Sequence, residues 1–342
     1  MNHTTALYPP DALILAPLSG YTDLPYRRAA RECGCRFAFT EMVDAASLAY
    51  ARKRSEGMLL RGEEEEFLGV QLVGADHEFL KKAVDVLNEY DFSLLDFNLG
   101  CPVPKVVKKG AGAELGRHRE QALACFRILA ERSRHPVTAK IRIVTAEDPV
   151  PTLELVRGLA ELGARAVTIH GRIREAFYAG PVAFDIIRTV REALPELQII
   201  ANGGVTSLAK YREIRRETGC GAVMLARGAM GNPWLFRELT DGETYTPPTL
   251  EEWQLLVERH IAGMVELYGE TSAMCMARKV LHDYFRGRGF PGPVRAKISY
   301  LATWNEFREF LDFAIREHAE SYWSRLASEP EAERRLRRSE SR

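Results

Sequence analysis

Apolar and polar positions along the first two-thirds of the chain alternate between two textures. Short apolar runs occupy 12–16, 37–41, 68–72, 94–98, 137–141, 166–170, 198–201 and 222–225. The run Phe92–Phe97 in particular is bounded by turn signals and reads as a buried strand. Longer segments with helical spacing lie between the runs. Eight such strands separated by helices predict an α/β chain closed as a (β/α)8 TIM barrel. A doubly wound sheet is the rival. No dinucleotide fingerprint follows any run: Gly110-Ala111-Gly112 comes after lysines and lacks the third glycine at the right offset.

Beyond 225 the texture changes. Residues 241–248, ending in Pro247-Pro248, read as a linker, and Thr249-Leu250-Glu251-Glu252 has the form of a capping box opening a helix. The pattern stays helical to about 326. Leu255, Ile261, Met264 and Val265 suggest one apolar face, and Phe307, Phe310, Leu311 and Ile315 another. The expectation is a catalytic barrel over 1–240, a linker over 241–248, a small C-terminal helical bundle over 249–327 and a charged tail over 328–342.

Composition narrows the class. With 342 residues, 46% hydrophobic and 27% charged, the chain has a core large enough for a barrel and a smaller unit. No apolar run approaches membrane-spanning length, and residues 1–10 lack the basic and apolar regions of a secretory signal, so the chain reads as cytoplasmic. The six cysteines are scattered, with no Cys-x-x-Cys pair and no Cys/His cluster at zinc spacing, so no metal is expected. Cys33-Gly34-Cys35 is too tight for an easy disulfide and reads as a helix end. Formal net charge is zero. Yet Arg278, Lys279, Arg286, Arg288, Arg295 and Lys297 crowd one stretch whose sole acid is Asp283. That stretch reads either as a phosphate-binding patch or as a solvated helix face.

Candidate chemistry collects at the C-terminal ends of the expected strands, where barrels of this kind carry their sites. Asn98-Leu99-Gly100-Cys101-Pro102 puts a thiol on the loop past the fourth strand. The Lys- and Gly-rich segment 105–116 follows, so the thiol reads as a proton donor under a mobile lid. Gln71, Lys140, Arg142, His170 and Arg172 stand at neighbouring strand ends, and burying each without a ligand would be costly. Asn202-Gly203-Gly204 and Arg227-Gly228 offer backbone N–H groups and a guanidinium, the character of a phosphate site. Lys140 would stand beside an electron-accepting ring, and Gln71 would meet that ring's carbonyl and N–H edge. Together these describe a flavin mononucleotide (FMN) site better than a sugar-phosphate site, for which Glu41 would be the obvious carboxylate base.

The motifs, taken in order, resemble one family. They are Ala16-Pro17-Leu18-Ser19-Gly20-Tyr21-Thr22-Asp23, Asn98-Leu99-Gly100-Cys101-Pro102 with Lys105 and the 110–115 loop, Lys140-Ile141-Arg142, His170-Gly171-Arg172, Asn202-Gly203-Gly204 and Ala226-Arg227-Gly228-Ala229-Met230-Gly231-Asn232-Pro233-Trp234. From about residue 12 to about residue 300 the chain resembles the tRNA-dihydrouridine synthases. The resemblance implies an FMN enzyme, reduced by NADPH, that saturates the C5–C6 double bond of a uridine in tRNA. It implies that Pro17, Leu18, Ser19, Gln71, Lys140, His170, Asn202, Gly203, Gly204, Ala226 and Arg227 hold the flavin or its phosphate. Cys101 would be the general acid to C5, and Asn98 would help hold the uracil edge. Lys105, Lys108, Lys109, Arg142, Arg172 and Arg174 would meet tRNA, as would Arg278, Lys279 and Arg286 of the helical domain. Leu18 stands where the family often has Met, and Ala226-Arg227 where Gly-Arg is common. The family also implies a monomer with no obligate protein partner. A flavin-dependent dehydrogenase of a free pyrimidine is the alternative; it would share the thiol loop but need no basic helical appendage.

Overall fold

The structure, a computed structural model, describes residues 6–328. Its strands are β1 Leu13–Leu15, β2 Phe37–Asp44, β3 Leu68–Val73, β4 Leu94–Leu99, β5 Val137–Arg142, β6 Ala166–His170, β7 Gln198–Asn202 and β8 Ala222–Leu225. Each pairs in parallel with the next and β1 pairs with β8, so the sheet closes as a (β/α)8 barrel. Every expected apolar run is a strand. β2 runs on to Asp44 because, past a register shift, Met42, Val43 and Asp44 pair with Gln71, Leu72 and Val73.

The barrel interior has an apolar floor. Ile14, Ala16, Phe39, Leu94, Ala166, Ile200, Ala222 and Met224 pack there with Tyr8 and Ala12. Tyr8 is clamped by Gln198, whose amide accepts from its N–H at 3.0 Å and donates to its carbonyl at 2.7 Å. The Tyr8 ring meets Phe37 edge-on at 5.3 Å, which seals the end of the barrel opposite the loops that follow the strands. Two residues per repeat keep i and i+2 on one face of a strand. Going up that face, Leu94 gives way to Asp96 and Asn98, Ala166 to Thr168 and His170, and Ile200 to Asn202. The interior is thus apolar at one end and polar at the other.

Two compact units emerge from the contacts. The barrel unit comprises residues through Ser19, Arg36–Val205 and Ala209–Ala226; the second comprises Gly20–Cys35, Thr206–Leu208 and residues from Arg227 on. Helix Leu24–Glu32, which follows β1, therefore groups with the later helices. Asp23 caps its start, and Cys33 forms its C-cap, as the sequence suggests for a helix end. The second unit also contains helices Leu250–Tyr268, Glu270–Phe285, Gly292–Lys297 and Trp304–Ser328. The Thr249 capping box forms: Glu252 N–H donates to Thr249 Oγ1 at 3.1 Å, and Thr249 N–H to Glu252 Oε2 at 2.7 Å. One correction concerns the apolar face of that helix. Leu255 is 46% exposed, because the buried stripe runs through Trp253, Val257, Ile261 and Met264. Phe307, Phe310 and Leu311 are buried as expected. Apart from Ser328, the charged tail lies outside the described residues. Among the described residues, no helix is long and apolar enough to cross a membrane.

Candidate active site

A chain of side-chain hydrogen bonds crosses the polar end of the barrel from β5 to the Cys101 loop. Asp96 lies mid-way along β4 and is fully enclosed, 1% exposed. Its carboxylate accepts from Thr138 Oγ1 at 2.6 Å and from Gln71 Nε2 at 2.7 Å. Gln71 Oε1 in turn accepts from Asn98 Nδ2 at 2.7 Å. Asn98 Oδ1 accepts from the backbone N–H groups of Gly100 at 3.1 Å and Cys101 at 2.9 Å. Asn98 Nδ2 also reaches Met42 Sδ at 3.2 Å. The positions on the side-chain amide of Asn98 are therefore all taken within the protein. The sequence reading assigned Asn98 to the uracil edge; here it holds the turn that carries the thiol.

Burial sets the protonation of the groups around this chain. It pushes the Asp96 carboxyl up to about 6, while the Gln71 and Thr138 hydrogen bonds and the Lys140 charge pull against it. Lys140, beside Asn98 in the β4–β5 register, is lowered to about 8 by burial and then by the Arg142 charge, with Asp96 and Cys101 opposing. The Cys101 thiol is raised above its ordinary value by burial. The Val103 N–H, Lys140 and Arg142 act in the other direction and favour the thiolate. At neutral pH the sulfur thus holds a proton, with cations at hand to stabilise what remains once the proton leaves.

The loop after Cys101 is exposed over 103–105 and 108–110 and packed over 111–113. Ala111, Gly112 and Ala113 are buried, and Ala113 N–H donates to the Cys101 carbonyl at 2.9 Å. Gly112 has φ +62°, and a Cβ there would stand 2.7 Å from the Cys101 carbonyl oxygen. Only glycine permits both the turn and the approach. Gly112, expected to help hinge a lid, lets the backbone close against the thiol turn, while Gly110 is exposed.

The basic residues near this end of the barrel fall into three groups. Arg142 and Arg172 are buried and brace backbone. Arg142 donates from Nε to the Gly100 carbonyl at 2.9 Å and from Nη1 to the Ile173 carbonyl at 3.0 Å, and Arg172 Nε donates to the Gly180 carbonyl at 2.9 Å. Lys109 and Arg174 are paired with acids, Asp44 for the first, Glu114 and Glu175 for the second. Lys105 and Lys108 are exposed on and just after the short helix Pro104–Val107.

Around the rest of the barrel, Pro17, Leu18 and Ser19 form the loop after β1, and Leu18 and Ala226 pack on the interior cluster. His170 ends β6 beside Asn202 of β7. Asn202 is 2% exposed; its Nδ2 donates to the Met224 carbonyl at 2.8 Å. Its Oδ1 is buried with no hydrogen-bond partner among the described residues. Gly203 and Gly204 follow at φ +135° and +73°, a conformation that side chains resist. Gln71, assigned to a flavin edge, is fully buried with both polar atoms engaged by Asp96 and Asn98.

In the second unit, Arg227 opens the single turn Arg227–Ala229. Lys279 lies over the Tyr21 ring at 3.9 Å, and the Tyr21 hydroxyl donates to Asp283. Asp283 also pairs with Arg286 at 2.8 Å. Arg278 Nε donates to the Leu301 carbonyl at 2.8 Å. Arg288 leaves the expected surface patch altogether: it is 2% exposed, with its guanidinium over Trp234 at 4.8 Å. Lys279, Arg286 and Lys297 remain exposed.

Asp96 and Thr138 escaped the sequence reading. An acid inside the apolar run Leu94-Leu95-Asp96-Phe97 is the signal that would have found the first, since a buried carboxylate needs partners.

Comparison with known proteins supplies an independent finding. A family model described as dihydrouridine synthase matches residues 14–320. The tRNA-dihydrouridine synthase B of Proteus vulgaris is 32% identical over 306 residues, covering 88% of this chain and 94% of the relative. That of Pasteurella multocida is 32% identical over 286 residues, covering 82% and 86%. A probable tRNA-dihydrouridine synthase of Rickettsia conorii is 31% identical over 307 residues, covering 87% and 92%.

Proposed function

The chain belongs to the dihydrouridine synthase family, and from that premise we propose that it reduces the C5–C6 double bond of a uridine in tRNA, with FMN as cofactor, NADPH as reductant and Cys101 as general acid. The observation that carries this reading is the Cys101 thiol, protonated at neutral pH, fixed by Asn98 and flanked by the charges of Lys140 and Arg142.

The residues fit such a cofactor. The buried Oδ1 of Asn202 has no partner among the described residues, and the adjoining Gly203-Gly204 turn carries no side chain beyond the backbone. These two glycines would hold the phosphate through their backbone N–H groups. Pro17, Leu18, Ser19, Gln71, Lys140, His170, Asn202 and Ala226 would line the rest, with Lys140 offering positive charge to an electron-rich ring. Bound FMN would supply the hydride for uracil C6, having received it from NADPH. Cys101 gives the S–H proton to C5, which completes the saturated ring. The thiolate left behind is stabilised by Lys140, Arg142 and the Val103 N–H. Asn98 keeps the turn in place while this happens.

A base inside folded tRNA must leave its stack to reach such a site. Lys105 and Lys108 on the barrel unit are suited to nearby phosphates. On the helical segment 249–327, read as the tRNA-binding domain, Lys279 and Arg286 have the same role. NADPH should bleach the FMN-loaded protein under anaerobic conditions, and tRNA lacking dihydrouridine should restore its colour. Restoration by free uracil or uridine, and not by tRNA, would replace this reading with a free-pyrimidine enzyme. Failure to bind FMN would remove it.

A further inference from the structure

The Cys101 turn is held by a side chain that belongs neither to it nor to its loop. We propose that Asp96 is a positioning residue for the Cys101 thiol, acting through Gln71 and Asn98, whose amide orientations its carboxylate fixes. The inference rests on the reading of Cys101 as the reacting thiol, but its test needs neither tRNA nor turnover.

The argument is one of hydrogen-bond polarity. An ionised carboxylate only accepts. Asp96 accepts from both Thr138 Oγ1 and Gln71 Nε2. Gln71 must therefore turn its NH2 to Asp96, at 2.7 Å, and its oxygen to Asn98. Asn98 must then give its NH2 to Gln71 and keep its oxygen for the N–H groups of Gly100 and Cys101. Those backbone groups only donate, so both ends of the chain demand the same order. A flip of either amide would set donor against donor and acceptor against acceptor in a dry interior, where unmet groups are costly. Thr138 fixes the carboxylate from the other side at 2.6 Å. Three strands are joined in this way, since Gln71 lies on β3, Asp96 and Asn98 on β4, and Thr138 on β5.

The inference separates two substitutions. Asp96→Asn can keep an oxygen toward Gln71 and give its NH2 to the Thr138 hydroxyl, which rotates to accept it. Asp96→Leu removes the acceptor and frees the Gln71 amide to turn. The readout is the rate at which iodoacetamide labels Cys101 at fixed pH, measured by peptide mass spectrometry on the full chain as purified. Cys275, exposed in the second unit, is the internal reference. Asp96→Leu should label about five-fold faster at Cys101 than the parent, the scale of one lost hydrogen bond. Asp96→Asn should stay within about two-fold, because its acceptor is retained. Gln71→Leu should match Asp96→Leu, and the double variant should be no faster than either, because links in one chain are not additive. If Asp96→Leu does not fold, Gln71→Leu carries the test. Parent-like labelling in the leucine variants overturns the proposal. So does Asp96→Asn labelling as fast as Asp96→Leu, since charge alone would then be the cause.

Discussion

The two sides of the polar end of the barrel are built on opposite terms. On the β3–β5 side, every polar atom of Gln71 and Asn98 is engaged within the protein, and the chain of bonds ends on the Cys101 turn. On the β7 side, Asn202 Oδ1 is buried without a partner among the described residues, and two glycines follow it. A completed network fixes a reacting group in one place before any substrate arrives. An incomplete one is stable only if something else completes it, since a buried polar group without a partner is costly. The first side therefore has the construction of a reacting centre, and the second that of a ligand site.

The largest effect should come from the end of the completed side. Cys101→Ala should lower dihydrouridine formation by about 10²–10⁴-fold, the usual worth of a positioned acid, while leaving flavin content unchanged. A variant that keeps full product formation would remove Cys101 from the chemistry. Next comes the incomplete side. Gly203→Ala puts a Cβ at φ +135° and 3.2 Å from Val182 Cγ1. It should weaken FMN binding about ten-fold, by backbone strain, without changing the labelling of Cys101. Titration of FMN into the two proteins checks this, and a loss of Cys101 protection as well would blur the division between the two sides.

Smaller effects lie outside that pair of regions or act through pH. Lys279→Ala should weaken tRNA binding evenly across tRNA sequences and reduce the salt dependence of binding by about one unit of slope. Binding curves at several salt concentrations would reveal it. An unchanged slope would take Lys279 out of phosphate contact and leave it as a cap on Tyr21.

The smallest effect is a signature of the Asp96 charge, which faces Gln71, Thr138 and Lys140. The folded protein holds the Asp96 proton more tightly than the ordinary carboxyl value of 3.8, up to about 6. Between those values the folded state binds more protons than the unfolded chain, so this contribution favours folding at low pH and is lost as pH rises through about 6. Asp96→Asn should abolish that dependence. Its melting temperature relative to the parent should climb by about 2–4 °C from pH 4 to pH 7. A constant difference would mean that Asp96 is not raised.

The barrel was legible in the sequence because a buried parallel strand writes a dense apolar run, and all eight runs were dense. The polar end of the barrel was legible because polar residues recur at the C-terminal ends of the strands. What individual side chains do there was less so. Asn98 and Arg142 looked available to tRNA, but a sequence does not reveal that their hydrogen bonds close on Gly100, Cys101 and Ile173. Arg288 reads in the sequence as part of a basic surface, but in the fold it is buried with its guanidinium over Trp234. The glycines at 110 and 112 suggested motion, but at 112 the small residue lets the backbone close against Cys101. In each case spacing along the chain carried the location and three-dimensional contact decided the role.

The central claim is that the chain makes dihydrouridine in tRNA. Incubating the FMN-loaded protein with NADPH and tRNA from cells that lack the modification, then quantifying nucleosides by mass spectrometry, tests it most directly. New dihydrouridine at a defined position, absent without NADPH and absent with Cys101→Ala, is the predicted result. A flavin-loaded, NADPH-reducible protein that leaves every uridine unchanged would contradict it.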